Sequence, residues 1–188
     1  KMAAILPSDK PYLKTGVFET WRSRIPWLML LMLSATFTGI IITRFESALA
    51  ACVVLTSFIP MLSGTGGNSG SQACVSIIRG ISLNEIEFRD LGRVVWKEIR
   101  VSVLCGVCLA IACFAKIIVV DMLLLKSESV TYLVAFVVCA TMAVTVCLAK
   151  IVGSTLPLLA KKLGFDPAVM ASPIITTIVD FLSLLVYY

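Results

Sequence analysis

The sequence contains no histidine, and only 14% of its 188 residues are charged. Without imidazole, both a common zinc ligand and the usual proton-transfer group near neutral pH are missing. No nucleophile–base pair with supporting spacing occurs either, which makes an enzyme the least expected class. Cysteine is present seven times, at Cys52, Cys74, Cys105, Cys108, Cys113, Cys139 and Cys147. All seven fall within apolar runs, where free thiols behave as small apolar groups rather than as a secreted disulfide framework. Cys105 and Cys108 form a C-x-x-C, but no second pair or histidine completes a zinc site. The opening residues hold neither an initiating methionine nor a signal-peptide core. Something preceding Lys1 is therefore expected.

What remains is apolar. Hydrophobic residues make up 59% of the chain, and its mean hydropathy is +1.01, far from the balance of a soluble domain. A membrane span needs about 20 mostly apolar residues. Five segments qualify, approximately 26–43, 48–78, 94–120, 130–160 and 167–188. The expected fold is an all-α integral membrane protein with a cytoplasmic connector over 1–25 and a five-helix membrane domain over 26–188.

Lys and Arg set the orientation. Lys1, Lys10, Lys14, Arg22 and Arg24 precede the first span, Arg79, Arg89, Arg93, Lys97 and Arg100 follow the second, and Lys161 and Lys162 follow the fourth. Only Arg44 and Lys126 fall in the opposite loops. The positive-inside rule then predicts a multi-pass protein of the cell membrane, N-terminus cytoplasmic and C-terminus outside. The basic collar suits anionic lipid headgroups as partners and gives no reason to invoke nucleic acid. Ser82 and Glu85 have capping-box spacing, which predicts a short amphipathic surface helix from Ser82 onwards. An odd span count without internal repeat favours a site on the two-fold axis of a homodimer.

Two polar constellations interrupt the apolar runs. The first is "GTGGNSGSQ", residues 64–72. Ser63, Gly67 and Ser71, and likewise Gly66 and Gly70, are spaced by four, as in small-residue seams that let membrane helices approach. The same glycines also bare backbone, which with the amides of Asn68 and Gln72 could face a hydrated cation in a water-filled cavity. The two readings are compatible, and both stay open on this stretch alone.

The second constellation is in the last span. Asp180 is the one carboxylate near the middle of any predicted span, at a cost of about 3 kcal/mol on insertion scales. It reads first as an ion-path residue and second as a hydrogen-bonded structural acid. Ser172, Thr176 and Asp180 recur every four residues and so share a helical face. Pro173 donates no N–H and would disturb the carbonyl one turn earlier. The ligands on offer are carboxylate, amide, hydroxyl and carbonyl oxygens, a hard set suited to Mg²⁺, Ca²⁺ or Mn²⁺. A single acid per chain suits Mg²⁺, which keeps several of its waters. Glu46, Asp121 and Glu128 read as solvated loop charges on the outer side. Lys150, near one end of the fourth span, is expected to run out to the interface and away from any cation path.

At "FIPMLSGTGGNSGSQACVSIIRG" and again at "GSTLPLLAKKLGFDPAVMASPIITTIVDFLSLL" the chain resembles the transmembrane domain of the MgtE family of magnesium channels and transporters. The likeness covers nearly all of residues 20–188. It implies a homodimer of five-helix subunits with one Mg²⁺ pathway on the two-fold axis, lined by the second and fifth helices. The family's pore acid falls on Asp180, its GGN asparagine on Asn68, and the backbone position one turn before the acid on Thr176. Gly66, Gly67, Gln72, Ser172 and Pro173 are the accompanying pore-lining candidates. The resemblance also implies an N-terminal regulatory domain and CBS domains as missing partners, with residues 1–25 the remnant of a plug-helix connection. Competing expectations are another hard divalent cargo (Mn²⁺, Ca²⁺ or Co²⁺) and a non-conducting accessory or receptor-like membrane subunit.

Overall fold

The computed structural model describes residues 15–44, 53–127, 129–167 and 173–187, which form helices and short connections with no strand among them. Helix α1 spans Val17–Arg44 and contains Pro26. It begins ahead of the boundary expected at residue 25 and runs through it. A 3₁₀ run, Val53–Phe58, leads into α2, Ile59–Ser82. Pro60 stands in the first turn of α2, where its missing N–H costs no intrahelical bond.

The end of α2 corrects one expectation. Asn84 adopts a left-handed φ of 56°. Around it, Glu85 N–H donates to the Gly80 carbonyl at 2.9 Å and Asn84 N–H to that of Ile81 at 3.2 Å, the paired bonds of a Schellman ending. Ser82 is the last residue of α2, and its hydroxyl turns back to the Arg79 carbonyl at 2.8 Å. It therefore cannot open a helix. The capping box is made by Glu87 and Asp90 instead, at the 3₁₀ turn Phe88–Asp90. No separate surface helix follows, because that turn passes straight into α3, Leu91–Lys116.

Helix α3 continues as a π-helical run, Ile117–Leu124. After a short connection comes α4, Tyr132–Lys162, which tolerates Pro157 in its interior. Helix α4 ends at Gly164, whose φ of +79° is a conformation that side-chain-bearing residues rarely adopt. Helix α5 is Pro173–Tyr187. The runs Phe88–Leu124 and Tyr132–Lys162 are long and apolar enough to cross a membrane, and Ile174–Tyr187 is a shorter apolar helix.

Helix α4 is the central pillar, packed against α2, α3 and α5, while α5 also meets α1. The buried apolar residues form three layers along it. One end holds Phe58, Ile117, Val138 and Tyr187. The middle holds Cys74, Ala149, Ile175 and Val179, and the other end Ile77, Ile81, Val94 and Leu158. That central position explains a second departure. Lys150 is buried, at 6% exposure, rather than running out to the interface. Its neighbours one turn away on α4, Val146 and Ser154, are buried as well.

Candidate functional site at the contact of α2 and α5

The glycine-rich stretch is fully helical, and the helix divides its residues between two faces. Gly66, Gly67 and Gly70 are buried, whereas Gly64, Asn68 and Gln72 are exposed. On the buried face there is no room for a side chain. A Cβ on Gly66 would lie 2.6 Å from Thr145 Cγ2 of α4 and 2.8 Å from Val179 Cγ1 of α5. One on Gly67 would come within 2.9 Å of Thr176 Cγ2. One on Gly70 would meet Ile175 Cγ2 at 2.8 Å and the Ala149 carbonyl oxygen at 3.0 Å. From the other side, a Cβ on Gly153 of α4 would fall on the Gly70 carbonyl oxygen. Helices of a membrane protein gain little from hiding apolar surface from one another, so such close backbone contact is what holds them together.

The same contact carries Asp180. Its half-buried carboxylate has the Ser63 hydroxyl of α2 as a polar neighbour. Ser63 Oγ lies 3.4 Å from Ser183 Oγ, and the Ser183 hydroxyl donates to the backbone carbonyl of Asp180 at 2.9 Å. One turn earlier on α5, half-buried Thr176 rests against Gly67. The antiparallel helices thus align Ser63 with Asp180 and Ser183, and Gly67 with Thr176. Asp180, Thr176 and Gly67 are brought to one seam, with Gly66 beside it where three helices meet.

Asn68 and Gln72 are not part of that seam. Asn68 is about 200° around the helix from Gly66, on the side of α2 turned away from α4. Among the described residues no hydrogen bond joins it to Asp180. Ser172 lies outside the described residues, and Pro173 supplies the first residue of α5, where a proline opens a helix without breaking one. Two contributors had no place among the sequence candidates. Ser63 was visible as the small residue four before Gly67, yet nothing marked it as the partner of the acid. Thr145, at 1% exposure behind Gly66, has a hydroxyl without a hydrogen-bond partner, and no sequence pattern points to it.

Asp121 also departs from expectation. It belongs to the π-helical run rather than a loop, and it pairs with Lys116 at 2.8 Å. Glu46 and Glu128 lie outside the described residues. No cluster of three or more His, Cys, Asp or Glu side chains occurs among the described residues. At this seam the described residues offer the Asp180 carboxylate with the hydroxyls of Ser63 and Ser183 close by, a set of oxygens that favours a hard cation retaining its water over a stripped soft metal.

The seam and both helices that form it fall inside one family match: the MgtE model, described as a divalent cation transporter, covers residues 59–188. The chain belongs to the MgtE family of divalent cation transporters. It is 34% identical over 187 residues to the magnesium transporter MgtE of Thermus thermophilus, covering 100% of this chain and 40% of that relative. Against the magnesium transporter MgtE of Bacillus subtilis the identity is 37% over 165 residues, 88% of this chain and 35% of the relative. The magnesium transporter MgtE of Enterococcus faecalis is 31% identical over 165 residues, 88% of this chain and 35% of that relative. The chain thus spans two fifths or less of the length of these MgtE relatives.

Proposed function

We propose that this chain is a pore-forming membrane domain that passes hydrated Mg²⁺ along a path lined by α2 and α5. The observation that carries the reading is the half-buried carboxylate of Asp180, set beside Ser63 and Ser183 at the α2–α5 seam. An acid within an apolar helix is costly and marks an ion path when polar groups converge on it. The relatives, magnesium transporters by name, point to magnesium as the cargo, and the oxygen-only ligand set is consistent with it. Asp180 binds the ion through its water, Thr176 contributes its backbone one turn away, and Asn68 and Gln72 line the approach.

The exposed amides of α2 support a homodimer. In a bilayer, such groups need either a second protein surface or water. A second copy placed on a two-fold axis along this face supplies both, enclosing one path between two α2 helices and two α5 helices. The five helical segments cross the cell membrane with the N-terminus cytoplasmic and the C-terminus outside, following the basic residues. Anionic lipids surround the cytoplasmic collar.

The test is Mg²⁺ uptake in a magnesium-uptake-deficient strain expressing this chain or its Asp180→Ala form. Uptake by the parent and a loss of at least about 100-fold in the variant are expected, since removal of the path's fixed charge, one Asp180 from each copy, leaves the cation uncompensated. Equal uptake by both forms refutes the assignment of Asp180. A well-expressed parent without uptake favours an accessory subunit.

A further inference from the structure

Lys116 closes α3, and Asp121 stands five residues later in the π-helical run Ile117–Leu124. Their side chains form an ion pair, Nζ to Oδ2 2.8 Å, with the lysine side chain 42% exposed and the aspartate 14%. In an α-helix, residues five apart lie about 140° apart around the axis, and only partners three or four apart meet. A π turn closes i to i+5 and brings those residues back over one another. The bond from Leu125 N–H to the Val120 carbonyl, at 2.9 Å, has that spacing. The ion pair thus has the five-residue reach that the wide turn allows.

The lysine reaches beyond its own helix. Its ammonium stands over the Phe58 ring, 5.2 Å from the centroid, a cation–π distance. Phe58 is the junction between the 3₁₀ run and α2. Close by, Tyr187 at the end of α5 donates its hydroxyl hydrogen to the Leu55 carbonyl at 2.8 Å. Phe58, Ile117 and Tyr187 share one buried cluster, with Met122 packed on it. Lys116 thus connects the π turn to the adjoining ends of the two helices that hold Ser63 and Asp180.

We propose that Lys116 and Asp121 are positioning residues: their ion pair holds the end of α3 in π form and, through Phe58, fixes the ends of α2 and α5 against each other. The inference rests on the transport reading above. Loss of either charge frees the run to take α-helical spacing, which turns residue 121 away from residue 116. Loss of the lysine also removes the cation from Phe58. The ion site at Asp180 is not touched, so maximal flux changes while the half-saturating Mg²⁺ concentration does not.

The experiment uses the full chain in proteoliposomes, with Mg²⁺ flux and amide hydrogen exchange over residues 117–125 as readouts. Lys116→Met and Asp121→Asn each raise exchange about tenfold and lower maximal flux about fivefold at unchanged half-saturation. Lys116→Arg keeps both readouts within about twofold of the parent, because guanidinium preserves the pair and the ring contact. The charge-swapped double variant Lys116→Asp/Asp121→Lys restores slow exchange but not flux, because the cation over Phe58 is gone. Parental exchange in both single variants overturns the role of the pair in the turn. Raised exchange with parental flux overturns the link to the path. A parent without flux refutes the transport reading and the positioning role with it, while the exchange comparison still decides whether the pair holds the turn.

Discussion

On one face of α2, Gly66, Gly67 and Gly70 are pressed so closely against α4 and α5 that no Cβ fits without displacement. On the opposite face, Gly64, Asn68 and Gln72 are exposed, and a Cβ on Gly64 would meet nothing within 4 Å. Residues adjacent in sequence are thus assigned to different tasks by 100° per residue of helical rotation. The packed face sets how near α2 lies to the acid of α5, and the open face carries the amides that need water or a second chain. A glycine-rich membrane segment is therefore not one feature. Its small residues have meaning only after they are sorted by face.

The contrast can be broken most severely at Gly153. A methyl there collides with the backbone carbonyl of Gly70, which cannot turn aside as a side chain can. Gly153→Ala is expected to cost about 3 kcal/mol, read as a lowered thermal midpoint in detergent, with loss of flux. Gly67→Ala meets the Thr176 methyl at 2.9 Å, a neighbour able to yield. Its expected cost is about 1–2 kcal/mol in the same measurement.

The open face should respond in the reverse sense. Asn68→Ala changes stability by less than about 0.5 kcal/mol, as an exposed substitution does, yet lowers Mg²⁺ flux about tenfold by removing a polar group from the approach. The smallest effect is at Gly64, where alanine has free space and better helix propensity. Gly64→Ala is expected to stabilise by about 0.5–1 kcal/mol. Destabilisation there as large as at Gly67 would erase the distinction between faces.

Much of this was legible in the sequence. Apolar length alone placed the helical runs that became α2 to α5, and four-residue spacing marked the seam of Ser63, Gly67, Gly66 and Gly70. Asp180 announced itself by its cost. Other features depend on geometry that no local pattern encodes. The Ser82–Glu85 spacing matched a capping box, but the left-handed Asn84 stands between them, and a helix end won over a helix start. Nothing in "IIVVDMLL" signals a π turn; it is visible only in the structure, in the five-residue bond from Leu125 to Val120 and the five-residue reach of Lys116 to Asp121. Lys150 looked free to reach the interface because the sequence did not show that α4 is surrounded by three other helices. Ser63 and Asp180 come from segments far apart in the chain, and only their antiparallel packing makes them partners.

The central claim, that the two faces of α2 meet different media, is tested most directly by thiol accessibility in the reconstituted full chain. Cysteine is introduced at Asn68 or Gln72 for the open face, and at Ser69 or Ala73, both buried, for the packed face. Each variant is treated with a membrane-impermeant thiol reagent against the background of the parent. The account predicts that cysteines at 68 and 72 react and that Mg²⁺ slows them, while those at 69 and 73 stay unmodified. Cysteines at 68 and 72 that resist the aqueous reagent, or reactivity shared equally by both faces, would contradict it.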